Sequence, residues 1–184
     1  AAEVARAFKI PERTILRVAK NFNGLEHRLE FVRSISYSHV LKNLRISFYN
    51  DSASTNPHTT AAAIMAFPNI PLVLIAGGQD KGLNYAPLAR ALNRSAAKLV
   101  VLFGENKRKI AKVVKNSRIP VVFAPNLKTA VRIAYHFAKN APDANGYPRC
   151  AIIFSPGAAS FDMFLNYADR GDKFKKIVKR LKAR

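Results

Sequence analysis

Leu72-Val73-Leu74-Ile75-Ala76-Gly77-Gly78 decides the fold. Five apolar residues in a row, closed by a glycine pair, are too few for a helix. They also lack the alternation of a half-exposed strand, so they read as a strand buried on both faces. Comparable runs recur at 99–103, 121–123 and 151–154. Helical periodicity fills the intervals at 57–67, 87–92, 107–115, 127–139 and 161–181. Short apolar strands alternating with helices build βαβ units around a parallel sheet. The expected class is therefore α/β, a Rossmann-like three-layer domain with a mostly parallel sheet of five or six strands over residues 34–184.

Upstream of that rhythm, 29–32 and 44–49 alternate as strands, and the polar stretch 34–43 between them reads as an elongated hairpin or loop. Residues 1–23 read as two short helices. Pro11 opens the second, Ile15, Leu16, Val18, Ala19 and Phe22 form its apolar stripe, and Gly24 is its expected stop. The segment 142–148 reads as a loop. The chain enters in mid-helix, with no initiating Met and no signal-peptide apolar region, which is the expectation for a piece of a longer protein.

Composition narrows the class. The 184 residues are 49% hydrophobic with mean hydropathy −0.06, too apolar for a disordered chain. No run approaches the ~18 apolar residues of a membrane-spanning helix. The single cysteine, Cys150, excludes a disulfide framework and a Cys-rich zinc site, and its place in an apolar run makes it a core thiol. The charge stands out: 31 Lys and Arg against 11 Asp and Glu give +20 and a pI near 10.6. Such an excess favours anionic partners without choosing among them.

In an open α/β sheet, ligands bind beyond the carboxyl ends of the strands. Those ends carry Asn50-Asp51-Ser52-Ala53-Ser54-Thr55-Asn56-Pro57, Gly77-Gly78-Gln79-Asp80-Lys81-Gly82, Gly104-Glu105-Asn106 and Ser155-Pro156-Gly157-Ala158-Ala159-Ser160-Phe161-Asp162. Each has an ordinary structural reading: Asn56-Pro57 as a helix cap, Gly77-Gly78 as a strand stop, Ser160 or Asp162 as the cap of the last helix. Neither glycine loop has the spacing of a P-loop or of a dinucleotide fingerprint. Three polar, hydroxyl-rich loops on one rim nonetheless suit an anionic ligand. Lys81, between glycines and beside backbone donors at a helix start, is the expected carboxylate or phosphate contact.

These loops, together with Gly24-Leu25-Glu26-His27-Arg28-Leu29-Glu30 and Arg170-Gly171-Asp172-Lys173-Phe174, resemble in order and spacing the Mur ligase family, most closely its D-glutamate-adding branch. The resemblance runs over essentially the whole chain. It implies residues 1–33 as the end of a central ATPase domain and 34–184 as the C-terminal, amino-acid-binding domain. It implies ATP- and Mg²⁺-dependent addition of D-glutamate to UDP-N-acetylmuramoyl-L-alanine through an acyl phosphate, in the cytoplasm, for peptidoglycan precursor synthesis. By the same resemblance Arg28 and Asp51 contact ATP, with Asp51 near the ribose. Thr55, Lys81 and Ser160 hold the carboxylates of D-glutamate, while Phe161 and Tyr167 wall its pocket. His27 belongs to the motif without an assigned role. Ala53 stands where relatives carry a lysine, and Tyr167 where they carry phenylalanine. The phosphate loop, the Mg²⁺ ligands and a modified lysine would lie upstream of residue 1, with the other domains of the ligase as partners. This segment is then expected to hold no catalytic and no metal-binding residue and to be inactive alone.

Two clusters carry much of the charge. Residues 107–118 hold six Lys and Arg and no acid, and 170–184 hold eight with only Asp172 against them. Helical spacing spreads these over solvated faces. The other readings are a different amino-acid specificity within the family and a basic α/β nucleic-acid-binding module.

Overall fold

Alternate residues of the central strands go to opposite layers of apolar packing. From β3 (Leu72–Ala76), Val73 and Ile75 enter one core, whereas Leu72, Leu74 and Ala76 enter the other. The same division holds for β4 (Ala97–Leu102), where Leu99 and Val101 oppose Val100 and Leu102. In β6 (Arg149–Phe154), Ile152 and Phe154 oppose Ala151 and Ile153. Continuous apolar runs are what a sheet covered on both faces demands. The computed structural model describes residues 1–39, 42–140 and 149–182; the loop expected at 142–148 lies outside the described residues.

The sheet has six strands in the order β1-β2-β6-β3-β4-β5, with β1 Glu30–His39, β2 Lys42–Asn50 and β5 Val121–Phe123. β1 and β2 form the long antiparallel hairpin expected over 34–43, with a register shift between Phe31 and Arg33. All other pairings are parallel. On one face lie α3 (Pro57–Met65), α4 (Ala86–Asn93) and α5 (Lys107–Val114), which contribute Ile64, Leu88, Leu92, Ile110 and Val114 to that core. On the other lie α6 (Leu127–Asn140) and α7 (Tyr167–Lys179), through Val131, Ala134, Phe174 and Val178. The three-layer α/β expectation holds. The short helices α1 (Ala2–Ala7) and α2 (Glu12–Asn21) precede this body, and neither buries any residue.

Two helix boundaries differ from the sequence reading. α2 ends at Asn21, because Phe22 is already extended at φ −81 and ψ 112, so Gly24 lies beyond the stop it was expected to make. The last helix begins at Tyr167, not 161. Asn166 caps it by accepting from the Asp169 N–H (2.9 Å), and neither Ser160 nor Asp162 serves as the cap. The amides of Met163 and Phe164 instead close a turn onto the Ser160 carbonyl (3.2 and 2.9 Å). The apolar residues that suggested helix there, Phe161 and Leu165 among them, are exposed and form no stripe. α4 begins at Ala86, one residue before the expected 87 and five residues after Lys81.

Candidate functional site

Strand order assembles the site. β6 sits between β2 and β3, so the loop that follows it lies between the loops that follow those two strands. It is hydrogen-bonded to both. The Gly157 N–H donates to the Ser54 carbonyl (2.9 Å), and the Gln79 N–H donates to the Ala159 carbonyl (2.9 Å) within an isolated antiparallel bridge. Thr55, Lys81 and Ser160 each stand one or two residues from one of these ties. This is the crevice expected where strand order changes direction in an open α/β sheet.

Glycines set how closely the loops approach. A Cβ on Gly77 would collide with the Phe103 carbonyl, and one on Gly78 with the Ala159 carbonyl, so the pair is required by backbone-on-backbone contact. Their amides are already used: Gly77 N–H donates to the Pro156 carbonyl (2.9 Å) and Gly78 N–H to Asn106 Oδ1 (3.0 Å). The two glycine amides are thus spent on tying loops together and do not join Lys81 on an anion, and α4 begins five residues downstream of it. The Lys81 ammonium is exposed and lies 5.8 Å from the centre of the Phe161 ring, which is 63% exposed.

Thr55 is half-buried immediately before Asn56, whose side chain caps α3 by accepting from the His58 and Thr59 amides (both 3.0 Å). The Asn56-Pro57 cap expected from sequence is thus present. Ser160 is buried. The half-exposed Tyr167 ring stands edge-on to His27, with centroids 6.1 Å apart, and its carbonyl accepts from the Ser52 hydroxyl (2.7 Å).

On the β1–β2 side, His27 and Leu29 take left-handed backbone conformations (φ 60 and 45), uncommon for residues with a Cβ and sustained only by surrounding bonds. Those bonds run from Ala53 N–H to the His27 carbonyl (3.0 Å), from Leu29 N–H to Asp51 Oδ1 (3.1 Å), and from His27 N–H to Glu30 Oε2 (3.0 Å). They present the exposed Arg28 guanidinium at the rim, 3.5 Å from Ser54 Oγ. Asp51 is buried at the foot of the same rim. It is 1% exposed, with Oδ1 on the Leu29 amide and Oδ2 receiving the Ser155 hydroxyl (2.6 Å). Burial pushes its carboxyl above the usual range, against these bonds and the nearby Arg28.

The residue that sequence reasoning passed over is Arg170. It is wholly buried, and its guanidinium joins two rim loops: Nε to Ser52 Oγ (3.0 Å), Nη2 to the Ser52 carbonyl (2.9 Å), and Nη1 to the carbonyls of Ala158 and Ala159 (3.0 and 3.1 Å). Burial draws its pKa down to about 10, against the attraction of Asp162. A signal was available, since Arg170, Phe174 and Val178 recur at helical spacing and the latter two are core residues. Asn50, Ser52, Thr60 and Ser155 complete the buried polar floor, with Ser155 Oγ 3.0 Å from Thr60 Oγ1.

A family model, the glutamate ligase domain of Mur ligases, matches residues 27–144. The chain belongs to the Mur ligase family. Among curated Mur ligases, the UDP-N-acetylmuramoylalanine–D-glutamate ligase of Chlorobium luteolum is 41% identical over 98% of this chain and 35% of its own length. The enzyme of that name from Clostridium tetani is 38% identical over 89% of this chain and 33% of its own. The chain thus spans about a third of the curated relatives it matches. Two solved structures share the fold: UDP-N-acetylmuramate–alanine ligase of Thermotoga maritima (TM-score 0.56, 13% identity, 96% of this chain and 35% of that one) and folylpolyglutamate synthase of Mycobacterium tuberculosis (TM-score 0.54, 17% identity, 82% and 32%).

Proposed function

We propose that this chain is the C-terminal part of a cytoplasmic ATP-dependent ligase that adds D-glutamate to UDP-N-acetylmuramoyl-L-alanine in peptidoglycan precursor synthesis. The observation that carries the reading is the stitching of the β6 loop to the β2 and β3 loops, which gathers Thr55, Lys81 and Ser160 on one rim. The shared name of the relatives supports the choice of amino acid. We place the domain junction at residues 31–34, where the β1 register shifts, with residues 1–33 closing a central ATPase domain and 34–184 binding the amino acid. The partners are then the other domains of the same ligase.

In this reading Lys81 and the hydroxyls of Thr55 and Ser160 fix the carboxylates of D-glutamate, and the Phe161 and Tyr167 rings border them. Charge-assisted bonds orient a dicarboxylate more firmly than neutral ones. Arg28 meets the nucleotide from the hinge side. Asp51 lies near the ribose in this reading, and it also holds Leu29 and Ser155 in place. ATP, when bound, would transfer its γ-phosphoryl group to the acceptor carboxylate with release of ADP, and the amine would then attack that carbonyl carbon and expel inorganic phosphate; this chain supplies orientation, bringing amine and acceptor together. The Mg²⁺ ligands fall, in this reading, in the central domain upstream, and we assign Mg²⁺ no ligand in this chain.

The test is Lys81→Ala in the full-length ligase. A charge-assisted contact is worth roughly 1.5–3 kcal/mol, and the exposure of Lys81 puts the loss at the low end, about one decade in the KM for D-glutamate. The KM for ATP should stay level. An unchanged D-glutamate KM in a folded variant would overturn the pocket assignment.

A further inference from the structure

The edge of the sheet farthest from the β1–β2 hairpin carries a surface that the ligase reading does not use. β5 is the last strand, and no described strand lies beyond it. The Pro120 carbonyl and the Ala124 N–H point inward to β4, accepting from Val100 and donating to Leu102 (2.9 and 2.8 Å). Strand alternation puts Val122 on that inner side and turns the main-chain groups of Val121 and Phe123 outward, where they have no strand partner.

Beside this free edge runs a groove of about 540 Å³ between β5 and α5. Its floor is Ala111, Ile119, Val121 and Phe123, and its rim is Arg108, Lys112 and Lys115. The rim residues are spaced i, i+4, i+7, one stripe of the helix. No acid lines the groove, and among the described residues none of the three makes an ion pair; the α5 ion pair belongs to Lys109, with Asp80 (2.9 Å). Phe123 is 49% exposed. A lone cation suffices to keep an edge strand from pairing with copies of itself. Three aligned cations over an apolar floor with an exposed ring form a surface with its own complementarity.

We infer that the α5–β5 edge is a docking site for an acidic, apolar-containing extended segment of a partner protein, which adds to β5 as a further strand. Its main chain would satisfy Val121 and Phe123, its apolar side chains would cover the groove floor, and its carboxylates would meet Arg108, Lys112 and Lys115. A peptide fits better than single-stranded nucleic acid, because base stacking needs a run of aromatic platforms and Phe123 is the one aromatic in the lining. The rim charges would make the binding strongly salt-dependent.

The experiment titrates the whole 184-residue chain with a short peptide of alternating glutamate and valine, followed by fluorescence anisotropy and by amide hydrogen exchange. The expected result is saturable binding with new protection at the Val121 and Phe123 amides and none added at Val122. Arg108→Ala/Lys112→Ala/Lys115→Ala, all at exposed positions, should weaken binding at least tenfold with unchanged thermal unfolding. Phe123→Ser, a second variant, should weaken it severalfold. Absence of binding, or binding without protection at Val121 and Phe123, would overturn the proposal. So would an oligothymidylate that binds more tightly than the peptide through the same three cations.

Discussion

Arg170→Met should cost this domain about 3 kcal/mol, and the figure can be built from its surroundings. The guanidinium makes four hydrogen bonds to loop acceptors, each worth roughly 1.5 kcal/mol at the low end for a charged donor. Against them stand the cost of burying the charge, seen in a pKa drawn down to about 10, and the apolar packing that methionine restores. The net is about 3 kcal/mol. It rises toward about 5 if the carbonyls of Ser52, Ala158 and Ala159 stay buried without donors. With a urea slope of about 2 kcal/mol/M, the unfolding midpoint should fall by roughly 1.5–2.5 M at constant slope. Because the arginine spans the β2 and β6 loops, amide exchange at Gly157 and Gln79 should also accelerate in the native state. Arg170→Lys keeps the charge but cannot span four acceptors, and should fall between the two. Lys173→Met on the same helix breaks an exposed i,i+4 pair with Asp169 and a cation–π contact with Phe164, and should cost under about 1 kcal/mol. If Arg170→Met unfolds within about 1 kcal/mol of the parent with Gly157 and Gln79 exchange unaltered, the loop-clamp argument is wrong.

Gly171→Ala would drive a Cβ into the His27 ring, which is buried beside Asn50; a loss of about 1–3 kcal/mol in thermal or urea unfolding is expected. Glu30 contributes to acid stability. Burial alone would raise its carboxyl, but the His27 amide, Asn50 and Lys175 together hold it below the usual range. Its stabilisation is therefore present above the ordinary carboxylate value and lost as pH falls through the lowered folded one, so Glu30→Gln should flatten the acid limb of a stability–pH curve. Cys150, 8% exposed with its thiol pushed up to about 12 by burial, should resist alkylation at mildly alkaline pH and react only in denaturant, which a mass-shift time course would show.

Much of the architecture was legible in the residues themselves. The runs at 72–76, 99–103 and 151–154 are apolar at every position because both faces of the sheet are covered, so strand identity and the three-layer class follow from local composition. Asn56 and Pro57 specify the start of α3 by short-range chemistry, a side-chain acceptor for two amides and a ring already set at a helical φ. Rim loops and the family were likewise readable, since both are written in contiguous motifs. Strand order was not, because nothing local says that β6 inserts between β2 and β3. Lateral order depends on which apolar faces and which loops fit together at long range. That placement turned Gly77 and Gly78 from free anion donors into loop ties, and it buried Asp51 on the Ser155 hydroxyl. It also made an arginine in a basic helix the buried bracket between two loops, because only the tertiary arrangement brings the Ser52, Ala158 and Ala159 carbonyls to one point that a guanidinium can span.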